Sequence, residues 1–353
     1  MASFFRLWQK LCGVHGAERG KSSPARLAHF ELLEQRNLLT GSMPASLVGT
    51  VVVDRTDDGV TDDDLAIAGA VVRLFRDGGD GLFDAGQADD ELLDSRATDG
   101  AGHYRFEGLT QGTYFVQQLP ASGLLQRPSA TVQQVVITAA DLEGEMRTPI
   151  DTFETTQMLE VASFGSRLAA STRGAAEALG GERDMFTELT SEFGRMQFSV
   201  NGYGAPVLQF DSSATAEGRR LVTWDGRDGN ALLTDYVGLG GYDLTEGGST
   251  TGIQLSFGAD HSFGQITLRV FTDQSRWSQV QLDIPATGSR HTAPTVMAWS
   301  DFVAGGGEGA DFAQVGAIQL EIEGDAAIDG RINRIDTFGP RTIEADFLNL
   351  QPL

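Results

Sequence analysis

The chain has a single cysteine in 353 residues, Cys12, so no disulfide can form within it. Whatever folds here is held by its core, by hydrogen bonds or by bound metal. Lysine is nearly as scarce: Lys10 and Lys21 are the only two, and beyond Arg36 every cationic side chain other than histidine is an arginine. No run of 18 apolar residues exists, so no membrane-spanning helix and no integral membrane segment is expected. The five histidines, His15, His29, His103, His261 and His291, form no HExxH and no i, i+4 pair, which argues against a zinc hydrolase. There is no GxSxG elbow for a serine nucleophile and no cysteine nucleophile after Cys12. "GLGG" (238–241) lacks the spacing of a phosphate loop and reads as a turn. No catalytic constellation is legible, and the expectation is a protein that is not an enzyme.

What the chain has in excess is acid. Its formal net charge is −23 and its pI about 4.5. That excludes nucleic acid as a partner, because binding phosphates needs a basic footprint, and it disfavours an anionic membrane surface. The charge is unevenly spread. The first 40 residues hold six basic and three acidic residues, net +3, which leaves −26 for the rest. A basic head on an acidic body suits an exported chain with a targeting segment and predicts an extracellular or cell-surface location. With 41% hydrophobic residues and 44 glycines, a chain of this length has room for two or three domains with sizeable cores and many turns.

From Ser46 onward the pattern is that of short strands. "SLVGTVVVD", "IAGAVVRLFRD", "GHYRFEGL", "GTYFVQQL" and "TVQQVVIT" alternate apolar and polar residues between Gly- and Asp-rich turns. The order predicts a small sandwich over 45–153. Residues 154–180 are Ala- and Ser-rich and fit either a helix or a polar strand pair. Strands return with "MQFSVN", "PVLQFD", "RRLVTWDG", "GIQLSFG", "QITLRVFT", "SQVQLDIP", "TVMAWSDF" and "AQVGAIQLEIEG". At least eight strands predict a jelly-roll-like double sheet over 154–340. The fold expectation is therefore all-β: a small prealbumin- or Ig-like β-sandwich, then a larger jelly-roll β-sandwich. They follow a short helical N-terminal targeting segment, 1–44, and 341–353 is left as a tail.

Two acidic stretches interrupt the first sandwich. "DRTDDGVTDDD" places Asp54, Thr56 and Asp58 at positions 1, 3 and 5 of a loop. Gly59 stands at the sharp turn, the Val60 carbonyl at position 7 and Asp62 at position 9. Position 12 of an EF-hand-like loop should be Glu but is Leu65, with Asp64 just before it. Four carboxylates, a hydroxyl and a carbonyl suit Ca²⁺, a hard cation that takes six to eight oxygens. The alternative is a solvated acidic turn. "DGGDGLFDAGQADD" offers Asp77, Asp80, Asp84, Asp89 and Asp90 at irregular spacing, either as a second Ca²⁺ site or as an acidic hairpin tip. Asp243 and Asp325 are weaker candidates for a structural cation in the jelly roll. Trp224 and Trp277 are candidate platforms for stacking a sugar ring, with core packing as the competing use, and Trp299 reads as core.

Three resemblances bear on these readings. "FELLEQRNLLTG" resembles the LEPR-XLL motif near the N-termini of planctomycete surface proteins, with Leu33, Glu34, Arg36, Leu38 and Leu39 matching and Gln35 in place of Pro. That implies export or surface sorting. The order of Gly49, Asp54, Asp58, Gly59, Gly69, Thr98, Asp99, Gly102, Tyr104, Phe106, Leu109, Gly112 and Tyr114 resembles the SdrD/Cna B-like domains of bacterial surface adhesins, which implies a prealbumin-like stalk or spacer. The same resemblance implies Asp64 as the substitute closing carboxylate of the first acidic loop. The internal Lys–Asn isopeptide bond of some such domains is excluded, since the body has no lysine. "GLGGYDLT" through "IDGRINRID" more loosely resembles a jelly-roll, galactose-binding-like module of exported proteins. Together they imply a Ca²⁺-stabilised structural or adhesive surface protein. The alternative is a protein whose jelly roll binds glycan, and a glycoside hydrolase is a third reading. Expected partners are a surface polysaccharide or a matrix protein.

Overall fold

In a computed structural model the structure describes residues 43–56, 60–61, 63–84, 89–120, 125–126, 131–262, 264–288, 292–324 and 326–350. The basic head with its LEPR-XLL-like motif lies outside the described residues, as do Asp58, Asp62 and Asp325. The described chain is all-β, as the alternation predicts, and it builds two sandwiches.

The first sandwich contains β1 (Ala45–Val53), β2 (Leu65–Ala66), β3 (Val71–Arg76), β4 (Glu91–Ala97), β5 (His103–Leu109), β6 (Gly112–Gln118), β7 (Leu125–Gln126) and β8 (Val132–Ile137). One sheet has the order β4-β3-β6-β8, all antiparallel. The other is organised around β1, which pairs antiparallel with β5 along its first half and with β2 at its end. Ala70, Val72 and Leu74, rather than Val71 and Phe75, face the core, where they meet Leu47, Val51, Tyr104, Phe106, Tyr114 and Val116.

The second sandwich contains β9 (Glu145–Asp151), β10 (Gln157–Ala162), β11 (Leu168–Gly174), β12 (Glu182–Leu189), β13 (Arg195–Val200), β14 (Leu208–Ser212), β15 (Gly218–Trp224), β16 (Gly252–Ala259), β17 (Gly264–Phe271), β18 (Trp277–Asp283), β19 (Ala293–Ala298), β20 (Val303–Gly306), β21 (Ala317–Gly324) and β22 (Gly330–Gly339). These strands form two seven-stranded sheets. One runs β10-β13-β14-β22-β16-β19 with β9 beside β22, and the other runs β11-β12-β15-β21-β17-β18-β20. Phe198, Phe210, Ile253 and Leu255 of the first interdigitate with Met185, Val222, Ile266, Leu268 and Leu320 of the second.

Residues 154–180 resolve as strands rather than a helix, but not as a pair: β10 joins one sheet through β13 and β11 joins the other through β12. Two expected boundaries are corrected. Residues 145–151 belong to the second sandwich, because β9 pairs with β22 and Ile150 enters the larger core, so the first sandwich ends near Gly144 and not at 153. The expected tail is no tail. β23 (Thr342–Glu344) and β24 (Phe347–Leu350) return to the first sandwich and run parallel to β1, pairing Ser46–Val48 and Val51–Val53. Ala345 and Phe347 complete its core. Gly49 is required at this junction. A Cβ there would lie 2.0 Å from the Ala345 carbonyl oxygen and 2.6 Å from the Tyr104 hydroxyl, and that hydroxyl donates to the same carbonyl.

Candidate functional site

The outer face of the β11–β20 sheet carries an ordered array of polar side chains. The core takes the even-numbered residues of β15, β21, β17 and β18, so the odd-numbered ones point outward, and the antiparallel register aligns them in rows. One row crosses six strands as Thr172, Asp184, Thr223, Gln319, Arg269 and Gln279. The next runs Ala170, Phe186, Leu221, Glu321, Thr267 and Gln281. Six strands are five inter-strand steps, a row of about 24 Å at roughly 4.8 Å each.

The rows are tied across the strands. The Arg269 guanidinium donates to Glu321 at 2.6 Å, to Gln279 at 3.3 Å and to Gln319 at 3.5 Å. Gln319 donates its amide N–H to Thr223, and Gln281 to Thr267, each at 3.3 Å. Thr223, Thr267 and Glu321 are buried although they lie on the outer face, and Arg269 and Gln319 are half-buried. Holding Arg269 and Glu321 at low exposure restricts their rotamers, so their remaining donors and acceptors are fixed in place. At one end of the rows, Trp277 packs against Phe271 (centroids 5.8 Å apart), which packs against Tyr236 (5.0 Å). Along another side, residues 230–234 wall a groove of about 120 Å³ over Asp184, Phe186, Leu221, Thr223 and Gln319, with Leu232 and Leu233 exposed on its rim.

The expected aromatic platforms fare differently. Trp224 faces the core with no exposed surface, so the stacking role expected for it is corrected. Its indole N–H donates to Asp151 at 2.9 Å, and Asp151 also holds Arg183 in a bidentate pair at 2.6 and 2.7 Å. Arg183, Asp151 and Trp224 are all wholly buried: a satisfied internal ion pair rather than a binding surface. Trp277 is half-buried on the outer face with one side of its ring laid on Gly305, which leaves it at the margin of the polar rows. Trp299 stacks on Phe312 at 4.5 Å against the core, as expected.

In the first sandwich the structure gathers part of each acidic loop. Of the first set, Asp64 accepts the backbone N–H groups of Arg55 (3.2 Å) and Thr61 (2.9 Å) and so closes the loop, while Asp54 is buried and Val60 exposed. In the second set, Phe83 pins the loop between Phe75 and Phe115, at centroid distances of 5.1 and 5.5 Å. Asp77 accepts the N–H groups of Gly79 and Gly81, and Asp90 those of Gly78 and Asp84. That scaffold brings carboxylate oxygens of Asp80, Asp84 and Asp89 within 4.8 Å of one another. Gly78 lets Asp89 approach, since a Cβ there would lie 2.5 Å from the Asp89 carbonyl oxygen. Three of the five expected residues thus converge, and the other two shape the loop. In the second sandwich Asp243 caps its own turn, accepting from Thr245 and Gly247.

Sequence reasoning did not single out Arg269, Gln319, Glu321 and Gln279. Their outward alternation is visible in "QITLRVF", "AIQLEIE" and "SQVQLD", but their alignment depends on register between residues up to 52 positions apart in sequence.

No protein-family model matches the chain, and no curated protein matches it. Among solved structures, the family 11 carbohydrate-binding module of a cellulosomal cellulase of Clostridium thermocellum matches at 10% identity, over 56% of this chain and 94% of that one, with a TM-score of 0.29. A carbohydrate-binding module of the β-sandwich superfamily, described for its promiscuous specificity, matches at 8% identity over 84% and 98%, with a TM-score of 0.25. The module TmCBM61, solved with β-1,4-galactotriose, matches at 9% identity over 53% and 90%, with a TM-score of 0.23. Similarity at this level assigns neither a ligand nor a site to this chain.

Proposed function

We propose that this chain is an exported, non-catalytic glycan-binding protein. The outer face of its second sandwich takes an oligosaccharide, and its first sandwich is a Ca²⁺-stabilised spacer. The observation that supports this most is the tied row from Thr223 through Gln319 and Arg269 to Gln279. A sugar chain presents pairs of neighbouring hydroxyls, each both donor and acceptor. Amide, guanidinium and carboxylate groups fixed in one plane match such pairs with two hydrogen bonds at a time. Trp277 at the margin supplies an apolar ring face, and the row is long enough for several sugar units. The net charge of −23 favours a neutral polysaccharide over an acidic one. Glu321 is engaged by Arg269, which suits a positioning group better than a free catalytic acid. The Asp80, Asp84 and Asp89 cluster supports Ca²⁺ in the spacer, because three converging carboxylates repel one another until a cation joins them.

The test is affinity electrophoresis of the full chain through gels holding neutral β-glucans, galactans and mannans. Retardation by one of them, lost in Arg269→Ala and in Gln319→Ala, is expected. No retardation by any, or equal retardation of wild type and both variants, would return the chain to a purely structural or adhesive role.

A further inference from the structure

A second group of acids lies outside every loop that the sequence pattern marks. Glu182 and Asp184 stand at the start of β12, and Asp228 in the loop that leaves β15. Ligand oxygens of the three lie within 4.8 Å of one another. Asp225, the last residue before that loop turns away, is buried beside them.

Asp184 is the informative member. It is 4% exposed, and neither of its carboxylate oxygens makes a well-formed hydrogen bond; the Thr172 hydroxyl opposite it on β11 and the Asp225 carboxyl are the polar groups within reach. Among the described residues no arginine or histidine forms an ion pair with Glu182, Asp184, Asp225 or Asp228. A buried carboxylate with no cationic partner and only weakly placed donors is costly, and its acidic neighbours bear the same charge. Burial, opposed by the Thr172 hydroxyl and the Asp225 carboxyl and reinforced by Asp228 and Glu182, pushes the Asp184 carboxyl up to about 6. Burial, reinforced by Asp184, Asp228 and Asp235, pushes that of Asp225 up to about 7. The other contacts of the cluster hold it in shape: Glu182 accepts the Gly229 N–H at 2.8 Å, Asp228 that of Asn230 at 2.8 Å, and Asp225 that of Asp235 at 2.7 Å. All three donors belong to the 225–237 loop. The loop therefore folds back onto β12 around a point that offers only oxygen.

We propose that Glu182, Asp184 and Asp228, with Asp225 behind them, bind a hard divalent cation, Ca²⁺ by the all-oxygen donor set. Such an ion supplies the cationic partner that Asp184 lacks and neutralises the mutual repulsion of the group. It also fastens the 225–237 loop to β12. The site stands independently of the glycan reading and is distinct from both acidic loops of the first sandwich.

Terbium tests it on the full chain. Trp224 adjoins Asp225 in sequence, so indole excitation should sensitise Tb³⁺ at this site, and Ca²⁺ should quench the emission by competition. Asp228→Asn, at an exposed position, should raise the apparent Kd about 10-fold or more. The Asp80→Asn/Asp89→Asn double variant in the first sandwich should leave the sensitised emission unchanged. In chelator, the second sandwich of Asp184→Asn should melt above that of wild type, because a neutral amide replaces a buried charge with no cationic partner, and this transition, followed by tryptophan emission, should gain nothing on adding Ca²⁺. Absence of sensitised emission in wild type, the same Kd in Asp228→Asn, or emission lost only in the first-sandwich variant would each overturn the assignment.

Discussion

Cutting the chain after Pro340 removes only 13 of 353 residues, which the sequence alone leaves as a tail, yet it should unfold the first sandwich. The truncation takes away β23 and β24, and with them the whole parallel edge of β1. Phe347 has no exposed surface and packs near Tyr104, with ring centroids 6.2 Å apart. Removing a ring of that kind costs about 3–5 kcal/mol. Asn349 is wholly buried. Its amide donates to the Val52 carbonyl at 3.1 Å and to Gln118 at 3.3 Å, and it accepts from Gln118 at 3.0 Å. Losing it strands two buried polar partners, at about 1–3 kcal/mol for each. The sum reaches the 5–15 kcal/mol that holds a typical domain. Far-UV circular dichroism and limited proteolysis should report loss of the first sandwich, while the emission of Trp224, Trp277 and Trp299 should still show a folded second one. Phe347→Ala alone should lower the melting temperature of the first sandwich by more than about 12 °C, and Phe347→Leu should restore part of it. A truncated chain whose unfolding curve matches the full one would refute the assignment of 342–350 to the first core.

Two further predictions concern the interior and the spacer. Arg183→Met should destabilise the second sandwich by about 3–5 kcal/mol, because it leaves Asp151 charged and buried with only Trp224 and the Phe153 N–H as donors; chemical denaturation followed by tryptophan emission measures it, and a loss below about 1 kcal/mol would contradict the buried pair. Ca²⁺ at a hundred times its dissociation constant should add about 2.7 kcal/mol to the first sandwich, seen as slower hydrogen exchange at the Gly79 and Gly81 amides; Asp80→Ala/Asp89→Ala should abolish the slowing, and identical exchange in Ca²⁺ and chelator would leave the loop a solvated turn.

How far the sequence reached follows from which contacts are local. β3, β5, β6 and β8 were legible because each alternates apolar and polar residues over six or seven positions, and β5 and β6 are also joined by the short turn Thr110-Gln111. β24 was not, because its partner β1 lies about 300 residues away, as the Asn349–Val52 bond shows, and no local pattern marks such a parallel pairing. β9, "EMRTPID", holds a proline and only three apolar side chains, and only its place beside β22 makes it a strand. Residues 154–180 were ambiguous for the same reason: short polar side chains fit a strand on a half-exposed face and give no period that decides. Trp224 was misplaced because a tryptophan before Asp-Gly at a strand end resembles an exposed ring, whereas the buried Asp151 that accepts its N–H, and the Arg183 paired with that carboxylate, lie 73 and 41 positions upstream. The converging acids at Asp80, Asp84 and Asp89 could be anticipated from their crowding in one loop. Asp184 could not, since its companions arrive from a strand neighbour some 40 residues on.

The central claim is that the tied polar rows on the outer face of the second sandwich bind a neutral glycan. Isothermal titration of the full chain with an oligosaccharide of whichever polysaccharide retards it, repeated with Arg269→Ala, tests it most directly. The account predicts saturable binding with one site per chain, weakened about 10- to 100-fold in Arg269→Ala, with both proteins melting at comparable temperatures. Binding that is unchanged in the variant would place the ligand elsewhere and contradict the account.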